Sequence, residues 1–131
     1  MKENERFERG VAHFNAGEFF EAHEVWEELW LRAPEPEKAF LQGMIQIAAA
    51  FHHYGRGNSS GTRSLLAAGI AKIGGAPDSY RGIEMEEFRE EAQRWVGMLG
   101  AGKDSGAKKL PQIRRAAWPV VEAAGKRKRG G

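Results

Sequence analysis

The residues able to do chemistry stand in two short runs. The first is Gly17-Glu18-Phe19-Phe20-Glu21-Ala22-His23-Glu24-Val25-Trp26-Glu27-Glu28-Leu29-Trp30. The second is Phe40-Leu41-Gln42-Gly43-Met44-Ile45-Gln46-Ile47-Ala48-Ala49-Ala50, leading to His53. A helical projection at about 100° per residue sets Phe19, Trp26 and Trp30 within about 60° of His23 on one side. Glu27 and Phe20 fall within about 60° of it on the other. Glu18, Glu21, Glu24, Glu28 and Arg32 share a separate arc, which reads as the solvent face. In the second run Gln42, Gln46, Ala49 and His53 lie within about 60° of one another on an otherwise apolar helix. Burying a neutral polar group without a partner costs roughly 2–7 kcal/mol, and a charged one more. Two adjacent helices therefore gain by turning such stripes toward each other. The expected arrangement is an inward-facing cluster of His23, Glu27, Gln42, Gln46 and His53, walled by Phe20, Trp26 and Trp30.

Such a cluster admits several chemistries. His23, His53 and Glu27 supply the donors of a two-His-one-carboxylate centre for Zn²⁺ or Fe²⁺. The zincin motif fails, however, because Glu27 stands where a second histidine is needed, and glutamine is a poor ligand for these metals. A carboxylate beside an imidazole can also move protons, with Gln42 and Gln46 orienting a substrate. The motif contains no nucleophile, and the sequence shows no phosphate-cradling glycine loop and no cofactor fingerprint, so no cofactor is expected. Gly55-Arg56-Gly57-Asn58 ahead of a helix could hold an anion, but reads as a plain turn. Two further readings use the same residues: a small-molecule site, and a satisfied hydrogen-bond network that fixes the register of the two helices. The expectation is a structural or small-ligand-binding module, with metal-assisted or acid–base catalysis by His23, Glu27 and His53 as the alternative. His13 and His52 read as surface or edge residues, and Trp95 and Trp118 as packing residues.

The elements that must position these side chains are helical throughout. Phe7, Val11 and Phe14 at i, i+4 and i+7 predict a helix over about 4–15, closed by Gly17. A second, about 18–32, stops before Pro34 and Pro36. A third, about 36–54, is apolar on most of its circumference and reads as the central one. Asn58 or Ser59 caps a fourth, about 59–73. A loop through Tyr80 and Gly82 precedes a fifth, about 84–99. Leu110–Ala124 reads as a weak helix interrupted near Pro119. No stretch alternates with a period of two, so no strand is expected. Short connections make successive helices antiparallel neighbours. The fold class is all-α, a compact antiparallel bundle of about five helices with a basic C-terminal tail.

Composition limits what the bundle can be. The 131 residues are 41% hydrophobic and include no cysteine, which suits one domain and excludes disulfides and thiolate metal sites. Residues 1–102 hold 11 basic and 16 acidic side chains, against 9 basic and 2 acidic over 103–131. The expected division is a helical domain over 1–102 and a basic, partly flexible extension over 103–131. The N-terminus is charged and lacks a signal-peptide core. The longest apolar stretch, 39–51, is broken by Gln42 and Gln46, so no membrane span is expected. A soluble cytoplasmic protein follows. In the extension Lys108, Lys109, Arg114, Arg115 and Lys126 to Arg129 could neutralise phosphates, with Trp118 stacking on a base. Nonspecific nucleic-acid binding over 108–129 is thus a further expectation, without a motif for sequence readout.

The two runs, together with Gly57-Asn58, resemble the signature of the domain-of-unknown-function 309 family. The resemblance extends from about Phe7 to Leu99. It implies a small, cytoplasmic, all-helical prokaryotic domain with no established activity. His23, Glu27, Trp30, Gln42, Gln46 and His53 match motif positions, to which the family assigns no catalytic role. Gly61 and Gly69 depart from its pattern, in which an alanine- and leucine-rich helix follows the Gly-Asn turn. Each weakens the fourth helix by about 1 kcal/mol relative to alanine.

Overall fold

Two glycine-capped turns of the same design fold the first part of the chain. The computed structural model describes residues 3–101 and 110–115, the last by its backbone alone. Helix α1 (Glu3–Asn15) ends where Gly17 takes a φ of 80°, which glycine adopts without steric cost. Glu18 N–H then donates to His13 O at 2.8 Å and Gly17 N–H to Phe14 O at 3.0 Å. That pair is a Schellman closure. It delivers the chain straight into α2 (Phe19–Trp30). Helix α3 (Glu37–Gly55) closes identically, with Asn58 N–H on His53 O and Gly57 N–H on Tyr54 O, both at 3.0 Å. Asn58 then caps α4 (Ser59–Ile73) by accepting from Gly61 N–H at 3.0 Å.

Each helix packs on the next, and the direction alternates. Phe7 and Phe14 of α1 meet Trp26 and Phe19 of α2 in that order, and Phe19 in turn meets Phe51 near the end of α3. Phe14 is the hub of the core. Its ring lies 5.0 Å from Phe19, 5.7 Å from Phe88, 6.1 Å from Trp26 and 6.3 Å from Phe51. Edge-on aromatic pairs of this kind add to simple burial. The glycines of α4 that depart from the family pattern have structural reasons. A Cβ at Gly69 would stand 2.7 Å from Gly43 O, so the α3 and α4 backbones touch there. A Cβ at Gly61 would crowd the capping side chain of Asn58.

Beyond α4 the structure adds what periodicity did not show. Strands β1 (Ser79–Tyr80) and β2 (Ile83–Glu84) form a hairpin around Arg81 and Gly82, with φ of 52° and 77°. Two positive φ values fit the twist of a two-residue hairpin turn. Helix α5 (Met85–Gly100) follows directly, capped by Glu84 accepting from Glu87 N–H at 2.8 Å. A third strand, β3 (Arg114–Arg115), pairs antiparallel with β2. The expectation of no strands is corrected to three two-residue pieces among the described residues, each too short to display alternation.

Over the described residues 110–115 the weak helix expected from Leu110 does not form. Residues 110–113 run without helical structure and are clasped to α1. Asn15 donates through Nδ2 to Ile113 O and accepts from Ile113 N–H through Oδ1, both at 2.8 Å. The amide thus imitates a neighbouring strand. Ile113 is 3% exposed and joins the core. Arg114 pairs with Glu91 at 3.0 Å and Glu87 at 3.5 Å, so this member of the basic set is already engaged. Arg115 is described by its backbone in β3, whereas Lys108, Lys109, Lys126 to Arg129 and the 116–124 part of the weak helix, with Trp118 and Pro119, lie outside the described residues. Among the described residues no helix is long and apolar enough to cross a membrane.

Candidate functional site

The buried arc of α2 is drawn by Phe19, Ala22, Trp26 and Leu29. Measured from its centre, Trp30 projects at about 60°, His23 at about 80°, Glu27 at about 120° and Phe20 at about 140°. Their exposure follows that order of angles. Trp30 and His23 are half-buried, Glu27 is exposed, and Phe20 is 52% exposed. On α3 the buried face centres on Phe40, Met44 and Phe51. Gln42, Gln46, Ala49 and His53 project about 140–180° away from Phe51. All four are half-buried.

These positions correct the inward-facing cluster. His23, Glu27, Gln42, Gln46 and His53 make no hydrogen bonds to one another among the described residues. Glu27 is in water, not behind a screen of rings. Trp26 does not wall the stripe either. It is fully buried near the centre of the core face of α2, stacks on Phe7 at 6.0 Å, and donates Nε1–H to Phe7 O at 3.2 Å. Gly10 makes that reach possible, because a Cβ there would stand 2.1 Å from Trp26 Nε1. Phe20 and Trp30 do line the α2 flank beside His23. Phe20 lies 6.4 Å from the His23 ring and 5.7 Å from that of His52, across to α3. At the other end Lys38 Nζ sits 4.3 Å over the Trp30 ring and donates to Trp30 O at 2.7 Å.

Two features survive. His23 Nδ1, Trp30 Nε1 and Gln46 Oε1 are shielded from solvent yet have no hydrogen-bond partner among the described residues. Each such group costs about 1–3 kcal/mol. His23 and Trp30 are seven residues apart, about 10 Å along the helix, so they do not serve one small site. The second feature is local to one end. His23, Glu24 and Glu27 each present a ligand atom, and these atoms lie within 4.8 Å of one another. Glu24 Oε2 is 3.6 Å from His23 Nδ1. The helical projection groups Glu24 with the solvated glutamates. The missed signal was its adjacency to His23, whose flank position brings neighbouring carboxylates up from the exposed side. His52 was likewise read as an edge residue, yet it faces Phe20 and lines an open groove of about 650 Å³ with Phe51, Tyr54 and Arg56.

A third ionisable group stands far from α2 in sequence. Tyr80 donates its hydroxyl to Glu37 Oε1 at 2.6 Å, and Glu37 also pairs with Arg81. Burial, then the hydrogen bond and the charge of Glu37, push the Tyr80 phenol up to about 12 against the opposing pull of Arg81.

Comparison with known proteins places the two motifs. Residues 7–65 match the family described as Domain of unknown function (DUF309). The resemblance to DUF309 holds over these residues. The match takes in α1, α2, α3 and the first half of α4, and so contains His23, Glu24, Glu27, Gln42, Gln46 and His53. An uncharacterised protein of Aquifex aeolicus is 30% identical over 102 residues, which make up 77% of this chain. The uncharacterised protein YpuF of Bacillus subtilis is 39% identical over 54 residues, 40% of this chain. Each alignment spans 31% of the relative's own length, so this chain corresponds to less than a third of either.

Proposed function

We propose that the chain is a binding module rather than a self-contained catalyst, and that α2 offers it a divalent-cation site. The observation that carries this reading is the convergence of His23, Glu24 and Glu27 on one point of the helix surface. An imidazole and two carboxylates suit a borderline cation such as Zn²⁺, with the remaining positions left to water or to a ligand's own donors. The neighbouring exposed ring of Phe20 and the groove beside His52 would supply the apolar part of such a ligand's surroundings. His53 has no place in this site, since it lies on the far arc of α3. The length of the relatives supports the modular half of the proposal. In them the matched segment is one part of a longer chain. We take the module as residues 1–102, with the basic extension brought back onto it through 110–115.

Isothermal titration of the full chain with Zn²⁺ tests the site. One equivalent should bind, and His23→Ala or Glu27→Gln should each weaken binding by at least about tenfold. Binding should also weaken as the pH falls, because protons compete for the same imidazole and carboxylates. Glu24 and Glu27 are exposed, so their substitution should leave the fold intact. Absence of saturable binding, or equal binding by the His23→Ala variant, overturns the proposal.

A further inference from the structure

A concave pocket of about 240 Å³ lies between the start of α3 and the loop that follows α4, distant from the α2 cation site. Pro36, Ala39, Phe40, Lys72, Ala76 and Tyr80 line it. Its walls are held in place from outside. The Arg89 guanidinium donates to Ile73 O at 3.3 Å, to Ala76 O at 3.1 Å and to Asp78 at 3.0 Å, which ties the post-α4 loop to α5. Tyr80 is pinned by its hydroxyl on Glu37 and packs edge-on against Phe40 at 4.6 Å. Largely preformed apolar concavities with a few fixed polar groups are the usual form of small-molecule sites.

The charges around the pocket are unequally used. Glu37 is engaged by Tyr80 and Arg81, and Asp78 by Arg89. Lys72 is exposed, lines the pocket, and has no ion pair or hydrogen bond among the described residues. One free cation therefore stands beside an apolar wall. The volume corresponds to about eight waters, room for a ligand of roughly ten heavy atoms.

We propose that this pocket binds a small carboxylic acid with a compact apolar body, its carboxylate on the Lys72 ammonium and its body against Phe40, Ala39 and Ala76. The site is independent of the cation proposal, and neither falls with the other.

Benzoate is the probe, with benzyl alcohol as the uncharged control of similar shape. Both are titrated into the isotope-labelled full chain while amide shifts are followed by NMR. Benzoate should shift the amides of Ala39, Phe40, Lys72 and Ala76 saturably in the millimolar range expected of so small a ligand. It should bind about two- to fivefold more tightly than benzyl alcohol, the modest gain of a solvent-exposed ion pair. Lys72→Gln should abolish that preference and leave benzyl alcohol unchanged, while Lys72→Arg retains it. Shifts that map elsewhere, no saturation at these amides, or a benzoate preference that persists in Lys72→Gln would each overturn the proposal.

Discussion

Replacing a helical glycine by alanine should give opposite results at two positions of this fold. Gly97 lies on the exposed side of α5, and a Cβ there would meet nothing within 4 Å. Gly97→Ala should therefore yield the intrinsic helix gain of about 1 kcal/mol. Gly69 has the same intrinsic gain available but a different surrounding. A Cβ there would lie 2.7 Å from Gly43 O, 2.7 Å from Ile47 Cγ1 and 3.2 Å from Ile47 N. Two of these three atoms are backbone, so no rotamer change relieves the clash, and the α3 and α4 axes must separate. Overpacking of this kind costs about 1–3 kcal/mol, here toward the upper end. The net effect of Gly69→Ala is a loss of about 1–2 kcal/mol. At about 4 °C per kcal/mol for a chain of this size, Tm should rise by about 4 °C in Gly97→Ala and fall by about 4–8 °C in Gly69→Ala. Thermal melts followed by far-ultraviolet circular dichroism, with urea midpoints as a second measure, read both changes. Equal stabilisation by the two substitutions would refute the close approach of α3 and α4.

The Asn15 clasp should be visible in stability and exchange. Asn15→Ala strips both backbone partners from Ile113 and should cost about 2 kcal/mol, with faster hydrogen exchange at the Ile113 amide. Ile113→Ala should cost about 2–3 kcal/mol by leaving a hole at the edge of the core. Denaturant titration that leaves either variant at wild-type stability would argue against docking of 110–113. Tyr80 gives a pH dependence at the alkaline end. Its folded phenol binds its proton more tightly than the unfolded one, so its stabilising contribution is complete below pH 10 and is lost as the pH rises from about 10 to 12. Glu37→Gln removes the carboxylate charge while keeping an acceptor oxygen, and should bring the Tyr80 phenolate transition down toward, but not to, that of a free tyrosine. Ultraviolet titration of the phenolate, compared with a Tyr80→Phe control, reads this directly.

Much of the bundle could be read from residue types, because helix ends and apolar periodicity are local properties. Gly17 and Gly57 both terminate helices with positive φ, and Asn58 caps the next as its side chain suggests. The candidate site was harder for a definite reason. A projection gives angles within one helix but not the direction of its neighbours. The arc containing His23 also contained Trp26, and the aromatic residues on either side of it looked like a common wall. In the fold Trp26 turns to α1, where the missing side chain of Gly10 admits it, and Phe20 turns to solvent. The glutamine stripe of α3 occupies one half-buried face, and the core took the other. The Asn15 clasp left no periodic trace, since a single amide reading an extended backbone needs no repeating pattern.

That clasp joins positions 98 apart in the sequence. The helical pairs before it close between near neighbours and can form early, whereas loop closure over such a span comes late. During synthesis the five helices emerge before Ile113 does, so the ribosome-bound chain meets the cell with the seam beside Phe14 and Val11 still open. Completion of this fold thus waits on a stretch synthesised after α1 to α5.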